Sequence, residues 1–230
     1  FNLIACFMSK PFMGVSANGC HTNVSLWKGG DLKSTPIGNN PLPGMDQVFT
    51  HISGGENMFM PDPKIDAVKP GPVGLNSIAG LLKHLPALTC LGSPTVNSYR
   101  RLWDTGFWAP VYADWGYQNR TCSVRVSAPG RVEYRSVDSS HNPYLMGAGI
   151  LKAFEDGLDN KMDPGEPEKK NIYDAMKAGK EVDKLPLTLG EAIQRLDSDE
   201  IIKSALPEDM LRVFMHYKND EWEKFLSAVT

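Results

Sequence analysis

The segment "APGRVEYRSVDSSHNPY", residues 128–144, contains the signals for a turn, a strand and the start of a helix. It begins with an Ala-Pro-Gly turn sequence and ends near an Asn-Pro pair, a typical helix cap followed by proline at the first helical position. Between these signals, Arg131, Glu133 and Arg135 alternate, so in a strand their side chains share one face. Two interpretations are open: a solvated sheet face with cross-strand ion pairs, or a site that binds anions through arginine and a metal or an amine through glutamate.

The composition is that of an ordinary globular protein, with 230 residues, 41% hydrophobic content and a net charge of −3. The isoelectric point near 6.0 predicts no general attraction to nucleic acid or to an anionic membrane. No apolar run approaches the ~20 residues of a membrane-spanning helix. The cysteines are scattered without a C-x-x-C pair, so we expect a reducing compartment and a soluble cytoplasmic protein. "FNLIACFMS", residues 1–9, is typical of a strand entered part-way, and we therefore expect a fragment.

The hydrophobic pattern predicts an α+β class with a helical C-terminal tail. Strands are expected at residues 1–9 and 20–28 and twice between residues 110 and 135, with a loop at residues 29–45. The spacing of apolar residues in "GLNSIAGLLKHLPALTC", residues 74–90, predicts a helix that Pro86 stops.

The C-terminal part begins with a helix signal and then changes in composition. Asn142 as N-cap and Pro143 at the first helical position predict a long helix. After about residue 165 the chain is charged and poor in core residues. Short helices are then expected near residues 188–196, 199–206 and 208–229.

The arginines are concentrated in one part of the chain, where six of the eight lie between residues 100 and 135. These six are Arg100, Arg101, Arg120, Arg125, Arg131 and Arg135. A guanidinium stays charged at any working pH, and its planar donors fit carboxylate and phosphate oxygens. The cluster indicates an anionic substrate such as a polyphosphate. A salt-bridged surface or a nucleic-acid face would have a similar composition, so the residues alone leave these alternatives open.

A second candidate site is "SANGCHTNVSLW", residues 16–27, which places His21, Asn23 and Ser25 on one face of a predicted strand. Histidine is a common metal ligand, and the amide and hydroxyl could bind phosphate oxygens. A lone strand histidine is more often structural, so both interpretations stand. The remaining histidines have no such neighbours and are interpreted as structural: His51, His84, His141 and His216.

Several segments, in order along the chain, resemble the glutamine synthetase family. They are "NGCHTNVSLW" (18–27), "SPTVNSYRRL" (93–102), "APVYADWGYQNRTCSVRV" (109–126), the stretch "RVEYRSVDSSHNPY" and its continuation to residue 167, "NIYDAM" (171–176) and "LTLGEAIQRLDSDE" (187–200). The resemblance implies an antiparallel sheet packed with helices, as in the catalytic domain of that family. Residues 1–165 are implied to be the C-terminal part of the catalytic domain, and residues 166–230 a charged loop and helical tail of the same domain. It also implies that the family's small N-terminal domain and the first half of its catalytic domain are missing here.

The resemblance implies an ATP-dependent ligase that forms γ-glutamyl phosphate from glutamate and then replaces the phosphate with an amine, using Mg²⁺ or Mn²⁺. The matching residues are His21 and Glu133 for the metal; Arg101, Arg135 and Ala17 for glutamate; Asn23, Ser25, Arg125 and Arg131 for the nucleotide; and Arg120 for the transferred phosphoryl group. The other metal ligands are implied to lie in the missing part. The family also implies a homo-oligomer of two stacked rings, with active sites shared between subunits.

Three positions depart from the family pattern. Asn23 replaces a second histidine, and Ala17 replaces a glycine. Trp108, preceded by Phe107, replaces a glutamate that helps take a proton from ammonium. Tryptophan cannot accept that proton, but a cation over its ring gains ~0.5–2 kcal/mol, and burial of one methyl adds ~0.8 kcal/mol. We therefore favour methylamine or another small alkylamine, as in a gamma-glutamylmethylamide synthetase-like member, with Phe107 at the substrate and Trp108 at the catalytic position.

Two other functions are compatible with the resemblance. The first is ordinary glutamine synthesis from ammonia. The second is an inactive family member that acts as a regulatory or structural subunit, although the retained His21, Glu133 and arginines argue against it. In addition, Tyr173 in "KNIYDAM" matches a tyrosine that some bacterial members adenylylate, but an exposed tyrosine in a charged loop needs no function.

Overall fold

The computed structural model describes residues 2–36, 47–62, 64, 68–103 and 109–228, and these residues form an α+β fold, as predicted. The strands are β1 (Thr22–Val24), β2 (Trp27–Lys28), β3 (Asp31–Pro36), β4 (Gln47–Ser53), β5 (Glu56–Asn57), β6 (Trp115–Tyr117), β7 (Val124–Ala128) and β8 (Arg131–Tyr134). The helices are α1 (Pro72–Gly92), α2 (Val96–Trp103), α3 (Pro143–Asp159), α4 (Ile172–Lys177), α5 (Leu189–Asp197), α6 (Glu200–Lys203) and α7 (Glu208–Ser227).

The largest sheet among the described strands has the order β1–β8–β7–β6. β7 and β8 form an antiparallel hairpin through the predicted Ala-Pro-Gly turn, where Gly130 has a φ of 76°, a left-handed conformation that favours glycine. β1 pairs antiparallel with β8, whereas β6 pairs parallel with β7, so one pairing differs from the antiparallel arrangement expected. In this register Asn23 and Arg125 both lie opposite Glu133, one on each neighbouring strand.

The main helical layer consists of α1 and α3, which pack along each other, and α1 also contacts β7 and β8. The helices approach closely because glycines face the partner helix: a Cβ on Gly80 would lie 2.0 Å from the Ala153 carbonyl oxygen. The predicted cap of α3 is confirmed, since the Asn142 side chain accepts from the Tyr144 backbone N–H at 2.9 Å. The buried side chains of this layer are Ile78, Leu81, Leu85 and Leu88 of α1 and Met146, Ile150 and Phe154 of α3.

The prediction that Pro86 stops the first helix was wrong, because α1 continues through it to Gly92. A proline inside a helix costs about 3 kcal/mol, through a lost hydrogen bond and a steric clash. Leu85, Leu88 and Leu91 lie on both sides of it and are 0–1% exposed. Because each buried leucine contributes ~1.5–3 kcal/mol, core packing outweighs the cost of the proline.

The N-terminal expectations were only partly right. Residues 2–9 are irregular rather than a strand, and the strand expected at residues 20–28 is divided into β1 and β2. Within the loop expected at residues 29–45, β3 forms and pairs antiparallel with β4; residues 37–46 lie outside the described part of the chain. Short polar strands of this kind are fixed by pairing across the sheet, which the local pattern does not contain.

The C-terminal helices agree with the sequence. Thr188 and Asp199 cap α5 and α6, as their side chains accept from the Glu191 and Ile202 backbone N–H groups. α5 packs against α1 through its buried apolar side chains, whereas no residue of α7 is buried. Within the described ranges, no helix is both long and apolar enough to cross a membrane.

Candidate functional site

Glu133 lies at the centre of a group of charged side chains, the Glu133 cluster, formed with His21, Arg101, Arg125 and Arg135. Its side chain is only 6% exposed. Arg125 Nε lies 2.5 Å from Glu133 Oε2, and His21 Nδ1 and Arg135 Nη1 lie 3.1 and 3.4 Å from Oε1. The cross-strand ion pair of the first interpretation is therefore present, but it is buried and not part of a solvated face. A buried carboxylate requires such partners to offset its lost hydration.

His21 precedes β1 and presents a neutral imidazole to the cluster. Burial lowers the pKa of His21, and Arg135 lowers it further, so that the value is about 4 even though Glu133 acts in the opposite direction. A neutral ring is the form that ligates metals. Gly19 permits this arrangement, because a Cβ there would lie 3.0 Å from His21 Nε2 and 3.2 Å from Arg101 Nη2.

Two arginines are held inside the cluster by backbone carbonyls. Arg101 of α2 is 4% exposed, and its Nη2 donates to the Arg135 carbonyl at 3.1 Å. Arg135 is also 4% exposed, and its Nη2 donates to the Arg120 carbonyl at 2.9 Å. Burial lowers the pKa of Arg101 to about 10, which still leaves the guanidinium charged at neutral pH.

Several polar atoms of this region are buried without a hydrogen-bond partner within the described residues. They are Arg101 Nη1, Arg135 Nε, Arg125 Nε, Glu133 Oε2 and Asp138 Oδ2. Two of these atoms, Arg125 Nε and Glu133 Oε2, are close enough to each other for an ion pair but lack hydrogen-bond geometry. Buried polar groups are nearly always hydrogen-bonded, so a concentration of unpaired ones indicates a place that receives a polar ligand. Guanidinium donors suit an anion, and the carboxylate and imidazole suit a cation.

His21 and Glu133 fit a metal ion as part of a ligand set. Their Nδ1 and Oε1 atoms are 3.1 Å apart, close enough to bind one ion together. Over the described ranges, no group of three or more histidine, cysteine, aspartate or glutamate side chains could hold a metal by itself. These two residues would therefore supply two of the ligands.

The other described residues predicted for the site are more exposed than Glu133. Asn23, Arg120 and Arg131 are exposed, Ala17 is half-buried, and the Ser25 hydroxyl accepts from Trp27 Nε1 at 2.9 Å. Phe107 and Trp108 lie outside the described residues. The ligand assigned to each of these residues stays a prediction.

The environment predicted for Tyr173 was wrong. Instead of being exposed in a charged loop, Tyr173 belongs to α4, is half-buried, and donates through its hydroxyl to the Ala109 carbonyl at 2.8 Å. The sequence contained a signal for this helix in Asn171, whose side chain accepts from the Tyr173 backbone N–H. Sequence reasoning also assigned nothing to Asp138, which is 0% exposed and raises the pKa of Arg101 against the larger effect of burial.

Comparisons with known proteins agree on one family. The family model "Glutamine synthetase, catalytic domain" matches residues 1–230. The chain is 38% identical to a glutamine synthetase of Pyrococcus furiosus over 231 aligned residues, which cover 97% of this chain and 45% of that protein. It is 33% identical to a glutamine synthetase of Rhizobium leguminosarum bv. phaseoli, covering 99% of this chain and 48% of that protein. The chain thus spans about half the length of the curated relatives it matches.

Two similar solved structures are described as "Apo GmaS without ligand" and "GmaS/ADP complex-Conformation 1". Each is 32% identical to this chain, with TM-scores of 0.79 and 0.80. The chain is covered to 98% in both cases, against 46% and 47% of those chains. The similarity therefore extends over nearly all of the fold described above.

Proposed function

Because the chain belongs to the glutamine synthetase family, we propose that it is part of an ATP-dependent ligase that joins an amine to the γ-carboxyl group of glutamate. In the first step a γ-carboxylate oxygen attacks the γ-phosphorus of ATP, and ADP leaves. In the second step the amine nitrogen attacks the acyl carbon, phosphate leaves, and the nitrogen loses a proton. The observation that carries the proposal is the Glu133 cluster, in which some buried guanidinium and carboxylate atoms have no hydrogen-bond partner within the described part of the chain.

The residues have separate roles in this proposal. Arg101 and Arg135 hold glutamate carboxylates. Arg101 Nη1 and Arg135 Nε have no hydrogen-bond partner among the described residues and supply donors that are already buried. His21 and Glu133 bind Mg²⁺ or Mn²⁺, and a divalent ion there would offset the charge of the nucleotide phosphates. Ala17 lies near the amino group of glutamate. The support for these roles is the family resemblance together with the burial and charge of the cluster.

The nucleotide and the transferred group are bound by the more exposed residues. Arg125 and Arg131 contact the phosphates of ATP, and Asn23 and Ser25 lie on the nucleotide side. Arg120 contacts the transferred phosphoryl group, whose charge spreads over three equatorial oxygens during transfer. Catalysis of this kind depends on positioning and on fixed positive charge, which guanidiniums supply at any working pH. The similar GmaS structure in complex with ADP supports nucleotide binding.

For the amine we propose methylamine or another small alkylamine. Phe107 and Trp108 carry no group that accepts a proton at neutral pH, and an aromatic face stabilises an alkylammonium. The 32% identity to GmaS supports this choice, whereas the 38% identity to glutamine synthetases of Pyrococcus favours the alternative, ammonia. Methylamine and ammonia must therefore be compared in the same assay to decide which amine is the substrate.

The test is an assay of the complete gene product that carries this chain, with ATP, glutamate and a panel of amines, in which phosphate release is measured. We expect a higher kcat/KM for methylamine than for ammonia. Trp108→Glu should move the ratio towards ammonia by up to ~100-fold, because a carboxylate attracts ammonium and can take its proton. Trp108→Phe keeps an aromatic ring and is the matched control. A wild-type preference for ammonia with an unchanged ratio in Trp108→Glu would establish ordinary glutamine synthesis; phosphate release with no amine or glutamate would contradict both.

We also propose that the complete protein assembles as two stacked rings whose active sites are shared between subunits. The support for this arrangement is the membership in the glutamine synthetase family, since the resemblance to that family implies stacked rings with shared sites. Light scattering on the complete gene product gives the subunit number directly. A monomer with full activity would rule out shared sites.

A further inference from the structure

The turn that carries Arg120 is connected to the Glu133 cluster through its backbone. Arg120 lies in the connection between β6 and β7, and its carbonyl oxygen accepts a hydrogen bond from Arg135 Nη2 at 2.9 Å. Arg135 in turn contacts Glu133. The position of the Arg120 backbone is therefore fixed on one side by the cluster.

On its other side the turn is fixed by an ordered chain of hydrogen bonds. Asn119 Oδ1 accepts from the Thr121 backbone N–H at 3.0 Å and from the Thr121 hydroxyl at 2.7 Å. Asn119 Nδ2 donates to the Lys170 carbonyl at 2.7 Å and to the Glu168 carbonyl at 3.3 Å. Because an amide has both donors and acceptors, Asn119 closes the turn and anchors it to the segment before α4 at the same time.

Thr121 connects the same turn to the start of α4. Its side chain is part of a residue that is only 1% exposed, and its hydroxyl oxygen accepts from the Ile172 backbone N–H at 3.1 Å. Ile172 is the first residue of α4, so its N–H has no partner inside the helix. The Thr121 hydroxyl donates its one proton to Asn119 Oδ1 and accepts from the Ile172 N–H through an oxygen lone pair. The hydrogen bonds therefore run in one direction, from Ile172 to Thr121 to Asn119.

The anchoring segment is itself held against the sheet. The Glu168 backbone N–H donates to the Trp115 carbonyl of β6 at 2.8 Å, and the Glu168 carboxylate forms an ion pair with Lys180. The charged segment after residue 165, which is poor in core residues, is therefore hydrogen-bonded to β6, the strand before the Arg120 turn. A turn anchored on both sides can hold its arginine in one position.

We propose that Asn119 and Thr121 are positioning residues that place Arg120 for phosphoryl transfer. The inference rests on the proposed function, in which the Arg120 guanidinium meets the transferred group. Neither residue touches the substrate in this scheme. They act through the backbone on each side of Arg120, and their loss changes the position of a charge that matters most in the transition state.

The experiment compares Thr121→Val, which removes the hydroxyl and keeps the shape, with Thr121→Ser, which restores it. As a matched control, Thr89→Val removes a fully buried hydroxyl that donates to the Leu85 carbonyl within α1, at 2.8 Å. A misplacement of ~1 Å can cost ~100-fold, so we expect Thr121→Val to lower kcat by about 10-fold or more, with the KM values for ATP and glutamate nearly unchanged. Thr121→Ser should recover most of the loss, and Thr89→Val should keep the wild-type kcat.

Hydrogen exchange measured on the same proteins separates this inference from the proposed function. Residues 118–123 should exchange faster in Thr121→Val than in the wild type and in Thr89→Val. A wild-type kcat in Thr121→Val, or an equal loss of kcat in Thr89→Val, would overturn the positioning role. If the wild-type protein releases no phosphate, the proposed function fails and the catalytic part of the inference fails with it, whereas the exchange result still reports whether the hydroxyl holds the turn.

Discussion

Two clusters of histidine and carboxylate in this chain differ in how completely their polar atoms are paired. In the Glu133 cluster, His21 lies beside one carboxylate and several guanidiniums. In the second cluster, at the contact of α1, α3 and the start of α6, His84 Nδ1 lies 2.6 Å from Asp199 Oδ2 and His84 Nε2 lies 2.8 Å from Asp156 Oδ2. Both ring nitrogens of His84 are therefore used, which requires a proton on each.

The electrostatic environments shift the two histidines in opposite directions. For His21, burial and the nearby arginines lower the pKa to about 4. For His84, burial also lowers the pKa, but the hydrogen bonds to Asp199 and Asp156 outweigh it, and the net pKa is raised. Burial alone therefore says little about a histidine, because the charges of its neighbours decide its protonation state.

The comparison shows how a structural cluster differs from a binding cluster. In the His84 cluster both ring nitrogens are paired with carboxylate oxygens, and Lys83 Nζ makes a further contact with Asp156 at 2.7 Å. The Glu133 cluster holds buried nitrogen and oxygen atoms that have no hydrogen-bond partner among the described residues. An unpaired buried donor costs ~1–3 kcal/mol, so such atoms are expected where a ligand pairs with them. Three substitutions test this distinction.

The largest effect is expected for Glu133→Gln in the complete gene product. The amide keeps the shape but loses the charge that the proposal uses to hold a divalent ion and that neutralises Arg125 and Arg135. Turnover should fall by more than roughly 100-fold, measured as phosphate release at saturating Mg²⁺, while the circular dichroism spectrum stays that of the wild type.

Asp156→Asn is the matched control for this substitution. The Asp156 side chain is 9% exposed, comparable to the 6% of Glu133, and the substitution removes a carboxylate charge from the His84 cluster. Stability should decrease and turnover should remain. If both variants lose turnover to the same extent, the distinction between the two clusters is wrong.

A smaller effect is expected for Arg101→Lys. Lysine keeps the charge but loses the planar pair of donors, one of which already holds the Arg135 carbonyl. The loss of a charge-assisted hydrogen bond of ~1.5–3 kcal/mol corresponds to a roughly 10- to 100-fold rise in the KM for glutamate. The KM for ATP should change far less. Arg212→Lys, on the exposed face of α7, is the control. A larger rise in the KM for ATP than in the KM for glutamate would show that Arg101 does not hold glutamate.

The sequence predicted those parts of the fold that local chemistry determines. The Ala-Pro-Gly turn, the Asn142 cap and the three C-terminal helices are all present, because turn and cap preferences act within a few residues. It failed where distant contacts decide the outcome. Pro86 lies inside α1 because leucines on both sides of it are packed against other elements. The parallel pairing of β6 with β7 could not be predicted, because nothing in the sequence of either strand indicates its direction relative to the other.

For the site, the alternation of Arg131, Glu133 and Arg135 correctly indicated a concentration of charge on β8 and the residue that follows it, but not how deeply these side chains are buried. Glu133 and Arg135 are buried, whereas Arg131 is exposed at the start of the strand. The contact of Arg120 with Arg135 is also absent from the local pattern, because the two residues are 15 positions apart and meet through a backbone carbonyl. Alternation gives the direction of a side chain, and only the packed fold gives its burial.

An effect on stability alone, with none on turnover, is expected for His84→Gln. The raised pKa means that the folded protein binds a proton on His84 more tightly than the unfolded chain does. This contribution is fully present below the ordinary pKa of 6.5 and is lost as the pH rises through the pKa of the folded state. Hydrogen bonds to charged groups contribute ~1.5–3 kcal/mol, so the variant should be less stable by about that amount at low pH.

The measurement is urea unfolding of the wild type and His84→Gln at a series of pH values that starts below 6.5, the ordinary pKa of histidine, and rises above it, because the linked stability is lost as the pH rises through the raised pKa. The charged groups around His84 are Lys83 on its own helix, Asp156 of α3, Arg195 of α5, Asp199 at the start of α6 and Glu200 within α6. Asp156 and Asp199 remain ionised throughout that range because their pKa values are lowered, with the hydrogen bonds from Lys83 and His84 outweighing burial, so the change in stability reports on the imidazole. His216→Gln, on the exposed side of α7, is the control for the loss of an imidazole that lies outside this cluster. A difference in stability that does not change with pH for His84→Gln would mean that the ring is not charged in the folded protein, and the contrast with His21 would then rest on packing and not on protonation.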